Sequence, residues 1–315
     1  MLSRFLINKK YLAFSLLEVS VVFMIIGILI SGLTVGIDLY QDYRLTSAKS
    51  LTKNSRVSRI DNLEMWVETT QDNAFSKVIS SIPPSYQLIK NPYNNQPIGK
   101  WNNLEIVQKI ADEVDPYQTI SGRQPFYIES GINGLPALYF DGKTDGTGDF
   151  MSFTAKFIND FSNFTIFIVE KRTDYGVSST NPVYATVYQY ILSTNDAGSL
   201  AVGPVSNGWL RINPGSFYTI GNYLNKTYLH SFLIDENLGK KVYLNGIEKL
   251  AVADTTKATV PSNNFLMKIA YFDRSWTQNY YTGFIGEIII FSKALNDSER
   301  SDVEKYLLNK WQIVK

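Results

Sequence analysis

Cysteine is absent from this 315-residue chain, which excludes disulfides, thiolate metal sites and cysteine nucleophiles. Histidine occurs once, at His230, so a multi-histidine metal site cannot form, and a Ser-His-Asp arrangement would have to use that residue. His230 stands in the run Tyr228-Leu229-His230-Ser231-Phe232-Leu233, where strand alternation places it opposite Leu229 and toward solvent, an ordinary strand position. An excess of one charge is missing too. The 30 Lys and Arg nearly balance 29 Asp and Glu, for a net charge of +1, and no basic cluster interleaves with aromatics. Nucleic acid is thereby excluded as a partner, because phosphate contacts need a concentrated basic surface. Proline is lacking before Pro83, so nothing of that kind interrupts a long N-terminal helix.

What is present leans toward β-structure. Aromatics make up 14% of the chain, with 20 Tyr and 18 Phe, side chains that fit a pleated and half-buried surface. The exception is the N-terminus. Phe14 to Ile37 is an apolar run broken by one charge, Glu18. Roughly 24 residues at the helical rise cover ~36 Å, enough for a bilayer core of ~30 Å. Arg4, Lys9 and Lys10 precede it and should stay cytoplasmic, which sends the rest of the chain across the membrane. A cleaved secretory signal would have a shorter apolar region, and Asp38-Leu39-Tyr40 is a poor cleavage site. A plain anchor fits the length but leaves Glu18 without a purpose, since a carboxylate in hydrocarbon costs several kcal/mol on a lone helix.

The run Ala13-Phe14-Ser15-Leu16-Leu17-Glu18-Val19 resembles the processing signal of type IV prepilins and type II secretion pseudopilins. The resemblance implies that a prepilin peptidase cuts between Ala13 and Phe14, that Phe14 becomes the methylated N-terminus, and that Glu18 meets the terminal amine of a neighbouring subunit during filament assembly. Ala13 stands where that family normally has Gly. The implied organisation is a leader over 1–13, a transmembrane and pilin-type helix over 14–59, and a head over 60–315. The implied place is the bacterial inner membrane, with the head outside the cytoplasm in a surface or periplasmic filament. The implied partners are the peptidase, other pilin or pseudopilin subunits and the inner-membrane assembly machinery.

Beyond about residue 60, short apolar runs alternate with turn residues. Ala137–Phe140, Phe164–Val169, Tyr228–Ile234, Lys241–Leu244, Phe265–Phe272 and Phe284–Phe291 read as strands. Asn245-Gly246 marks a tight hairpin, because a primed turn needs positive φ. Asn296 followed by Glu299 is a helix-capping pattern, and Val303, Tyr306, Leu307 and Trp311 follow at helical spacing. The fold class expected is mainly β, an antiparallel sandwich with a closing C-terminal helix. The order of Leu63-Glu64-Met65-Trp66, Gly131-Ile132-Asn133-Gly134, Gly283-Phe284-Ile285-Gly286-Glu287 and the closing helix resembles concanavalin A-like, laminin-G-like jelly rolls of bacterial surface proteins. Thr70 to Asp115 is longer and more irregular than that resemblance implies.

Three patterns bear on chemistry. The loop carrying Asp141, Asp145 and Asp149 reads first as a glycine-rich turn bonding its own backbone, with calcium as the open alternative and no other cofactor expected. Glycan hydrolysis would need two carboxylates across a cleft, and Glu287 stands alone in its strand, so the chain is expected not to be an enzyme. Trp276, Asn279 and Tyr280 form an aromatic loop that could stack on and bond a surface glycan, the alternative being that Tyr281 and Trp276 simply cover the sandwich edge. The leading expectation is a minor or tip pilin with an adhesive or scaffolding head. A secretion pseudopilin and an unprocessed, membrane-anchored carbohydrate-binding or hydrolytic protein are the alternatives.

Overall fold

The computed structural model describes residues 15–104, 115–143, 145–154, 162–174, 191–194, 201–205, 209–213, 216–219, 224–256, 266–274 and 277–315. The chain divides into two compact units, Met1–Arg44 and Leu45–Lys315. Helix α1, Leu16–Asn54, begins in the first and ends in the second.

In the first unit the helix starts on a reciprocal cap. Ser15 Oγ accepts from the Glu18 amide at 3.1 Å, and the Glu18 carboxylate accepts from the Ser15 amide at 2.8 Å. Every side chain from Ser15 to Tyr43 is exposed. A helix that is apolar around its whole circumference has no solvent face, which is the pattern of a membrane span or a buried core helix. This one is long and apolar enough to cross a membrane.

The second unit is an antiparallel β-sandwich. Its larger sheet runs in the order Ile247–Val252, Gly239–Leu244, Thr227–Asp235, Phe164–Arg172, Thr282–Phe291, Leu135–Asp141, Phe126–Ile132 and Gln96–Pro97. Thr282–Phe291 is long enough to serve two partners along one edge: its first half pairs with Leu135–Asp141 and its second half with Leu63–Glu68. A second sheet, which includes Leu192–Thr194, Leu266–Ile269 and Met151–Thr154, packs across the core.

Alternation explains why the central strands read as unbroken apolar runs. In Phe164–Arg172, Phe164, Ile166 and Ile168 enter the core between the sheets, while Phe167 and Val169 enter a second core on the opposite face. That second core is closed by helix α2, Asp297–Trp311, and by the last turns of α1 around Ala48 and Leu51. Both faces of the central strands are therefore buried.

Helix α2 forms where the capping pattern placed it. The Asn296 side chain accepts from the amides of Ser298 and Glu299, and the Glu299 carboxylate accepts from the Asn296 amide. Val303, Leu307 and Trp311 are buried against the sheet, each such side chain contributing about 1.5–3 kcal/mol. Gln312, at φ 50°, ends the helix. Two Asn-Gly turns then hold the tail: Asn133 Nδ2 donates to the Trp311 carbonyl at 2.8 Å, and Asn245 Nδ2 to that of Val314 at 2.9 Å.

Three details differ from the sequence-based expectations. His230 is fully buried rather than solvent-facing, and it sits 2.9 Å from Glu170 Oε1, because alternation cannot tell inside from outside in a sheet covered on both faces. The run Phe265–Phe272 breaks at Ala270, whose φ of 66° ends the strand Leu266–Ile269 before Tyr271–Arg274 begins. The irregular stretch after Thr70 carries a hairpin, Phe75–Ser81 with Pro84–Ile89, and 105–114 lies outside the described residues.

Candidate functional site

The first candidate is the start of α1. Ala13 and Phe14 lie outside the described residues. Glu18 occupies the third helical position and is the only acidic residue between Leu16 and Ile37. Its carboxylate is held by the backbone one turn back, where the helix dipole also favours negative charge. The group thus points to the N-terminal end of an otherwise apolar and exposed surface.

A second constellation, which sequence reasoning missed, lies in the layer between the large sheet and α2. Glu68 and Glu287 are directly opposed across the strand pair Leu63–Glu68 and Thr282–Phe291. A bulge between Ile285 and Glu287 turns the latter toward the helix layer. Gly286 makes room there, since a Cβ at that position would lie 2.4 Å from the Trp311 ring.

Into this layer α2 sends Lys310, whose Nζ lies 2.9 Å from Glu68 Oε2 and 2.9 Å from Glu287 Oε2, with all three side chains fully buried. Glu287 also accepts from Trp66 Nε1 at 2.7 Å, Tyr306 Oη at 2.7 Å and Trp311 Nε1 at 2.8 Å. Lys310 donates further to Thr52 Oγ1 at 2.9 Å, tying the end of α1 into the same cluster. Burial alone would lower the Lys310 pKa, but the two carboxylates outweigh it and hold the ammonium above its ordinary value. The same burial and carboxylates push the Tyr306 hydroxyl well up, so it stays a donor. One signal was available: Lys310 follows Val303 by seven residues and Tyr306 by four, which puts it on the apolar face of the helix.

The aspartate loop bonds itself. Asp141 and Asp149 exchange backbone-to-carboxylate bonds of 3.1 Å in each direction, and Lys143 pairs with Asp141 at 2.6 Å. Asp145 accepts from the amide of Thr147 at 2.9 Å and from its hydroxyl, bonds that lower its pKa. Desolvation, with the Asp141 charge behind it, raises the Asp149 carboxyl to about 7. Among the described residues no group of three or more acidic or histidine side chains converges as a metal site.

The aromatic loop is a hairpin of Tyr271–Arg274 with Thr277–Tyr280, in which Asn279 pairs with Phe272. Trp276 lies outside the described residues. Tyr280 is a correction to the stacking expectation: its ring is buried 4.6 Å from that of Tyr271, because it follows the strand into the core rather than the turn into solvent.

No family model matches the chain, and the curated proteins give no match. Among solved structures the chain is similar to domain 4 of AbnA, a GH43 extracellular arabinanase from Geobacillus stearothermophilus, solved in complex with arabinotriose. The two share 16% identity over 57% of this chain and 81% of that one, at a TM-score of 0.39. Trypanosoma rangeli sialidase is similar at 11% identity and a TM-score of 0.42, over 79% of this chain. The match takes in only 33% of the sialidase, so this chain spans about a third of that enzyme's length. The binding domain of botulinum neurotoxin serotype D/C is similar at 15% identity and a TM-score of 0.41, over 62% of this chain and 50% of that one. Likenesses at this level carry no activity to the chain. The expectation that it is not an enzyme is nevertheless corrected, because the similar structures include a sialidase and a domain of an arabinanase. Glu287 does have a carboxylate neighbour in Glu68, brought opposite it by strand pairing, but both are buried and shared by Lys310 and face no cleft. What the chain is, in plain terms, is a long apolar N-terminal helix followed by an antiparallel β-sandwich closed by a C-terminal helix.

Proposed function

We propose that the chain is a type IV pilin-like filament subunit, of the minor or tip kind, with an adhesive or scaffolding head. The observation that carries this reading is the first part of α1: an exposed, wholly apolar helix with one carboxylate, Glu18, four residues beyond Phe14. An apolar helix in a bilayer is stable without company, but a carboxylate at its end calls for a cation when neighbouring helices pack around it. The α-amine of a processed Phe14 on an adjacent subunit supplies that cation in this reading. The leader would be removed by a prepilin peptidase, and the inner-membrane assembly machinery would draw the subunit into a filament with the head outside the cytoplasm.

The test is the mature N-terminus. In cells with an active prepilin peptidase, mass spectrometry of the membrane-extracted protein should find a chain beginning at methylated Phe14. Recovery of an intact Met1 terminus from those cells would refute the proposal.

A further inference from the structure

We propose that a cleft beside the C-terminal end of α1 binds a short acidic saccharide. The cleft has a volume of about 660 Å³, within the usual range for sites that enclose small organic ligands. Its floor includes Thr52 and Trp66. Both are fixed from below by the buried ionic layer: Thr52 Oγ1 receives Lys310 Nζ at 2.9 Å, and Trp66 Nε1 donates to Glu287 at 2.7 Å. A floor already locked by buried hydrogen bonds loses little freedom when a ligand arrives.

Charge decides what that ligand is. Among the described residues Asp72 is the only acid lining the cleft, and Lys49 neutralises it at 2.5 Å. Lys53 and Lys90 also line it, both are exposed, and neither has a carboxylate partner among the described residues. Among its described residues the cleft therefore presents two cations without a carboxylate partner. Beside them the amides of Gln71 and Asn91 offer both donors and acceptors, and Leu88 and Leu104 offer apolar surface. Cations for a carboxylate, amides for hydroxyls and aliphatic carbon for the C–H face of a ring together describe a sugar acid. A bare inorganic anion would leave most of the volume unfilled, and an apolar ligand would bury the two ammonium groups. The site is built from the second unit alone, so its failure leaves the filament reading untouched.

The full chain in detergent micelles should be titrated calorimetrically with a hyaluronan tetrasaccharide, with chitotetraose and hexaglutamate as comparators. Saturable binding of the first, weakened by added salt and exceeding both comparators, is the expected result. Lys53→Gln with Lys90→Gln should lower affinity about tenfold or more without moving the melting temperature, because both side chains are exposed. Each single substitution, measured separately, should lose part of that affinity. No saturable binding up to ~10 mM, a weak limit on the affinity scale, would overturn the proposal. So would unchanged affinity in the double variant, or equal binding of the neutral sugar or the acidic peptide.

Discussion

Replacing Lys310 by Met tests the buried ionic layer most sharply. The substitution keeps the aliphatic length of the side chain but removes the one ammonium that meets both Glu68 and Glu287. Breaking a buried ion pair from one side typically costs about 3–5 kcal/mol, because the remaining charge is left in low dielectric. Here two carboxylates are left, but unequally. Glu287 keeps three donors, from Trp66, Tyr306 and Trp311, whereas Glu68 keeps only the amide and hydroxyl of Thr70. The cost should therefore fall mainly on Glu68, and Lys310→Met with Glu68→Gln should recover more than half of it. A loss of about 3–5 kcal/mol corresponds to roughly 6–20 °C in melting temperature for a unit of this size. Circular dichroism reports the global transition, and tryptophan fluorescence reports the site, since the indoles of Trp66 and Trp311 both bond Glu287. A melting temperature for Lys310→Met within about 2 °C of wild type, the shift expected for no more than about 1 kcal/mol in a unit of this size, would refute the reasoning. A double variant no better than the single one would equally refute the assignment of the cost to Glu68.

Two further outcomes follow from the same structure. Gly286→Ala should destabilise the sandwich by about 1–3 kcal/mol, because the new Cβ would stand 2.4 Å from the Trp311 ring; unchanged denaturant midpoint and tryptophan emission would contradict that packing. Asp149→Asn should flatten the pH profile of stability: the raised folded pKa of about 7 means the native state holds a proton that the unfolded chain releases near 3.8, so the wild-type contribution is full below about 4 and is lost as pH rises through about 7. The variant should gain on the order of 1–3 kcal/mol over wild type across that window, measured by urea unfolding, and parallel profiles would sink the prediction.

Several elements were legible because they are local. The Asn245-Gly246 turn forms at φ values of 52° and 76°, since only residues tolerant of positive φ fit a two-residue hairpin. The cap at Asn296 and Glu299 and the buried face of α2 follow from side chains three and four positions apart. The apolar length from Phe14 onward needs no partner to be read. Local pattern misleads where a residue's surroundings depend on what packs against its element. Tyr280 looks like a loop aromatic until the hairpin carries it into the core, and His230 looks solvent-facing until the second sheet packs over that face of its strand, where His230 lies beside Ile168 and Phe232.

Periodicity, propensity and capping act within a turn or two of chain, and they suffice to specify a long apolar helix with one carboxylate near its start, a β-rich remainder and a capped terminal helix. The meeting of Glu68, Glu287 and Lys310 belongs to the tertiary structure alone. Cross-strand pairing, a bulge at Gly286 and the docking of α2 bring together residues far apart in sequence, and none of these leaves a local signature strong enough to predict the others. Burial then gives those three charges their energetic weight, since the same side chains in water would contribute little.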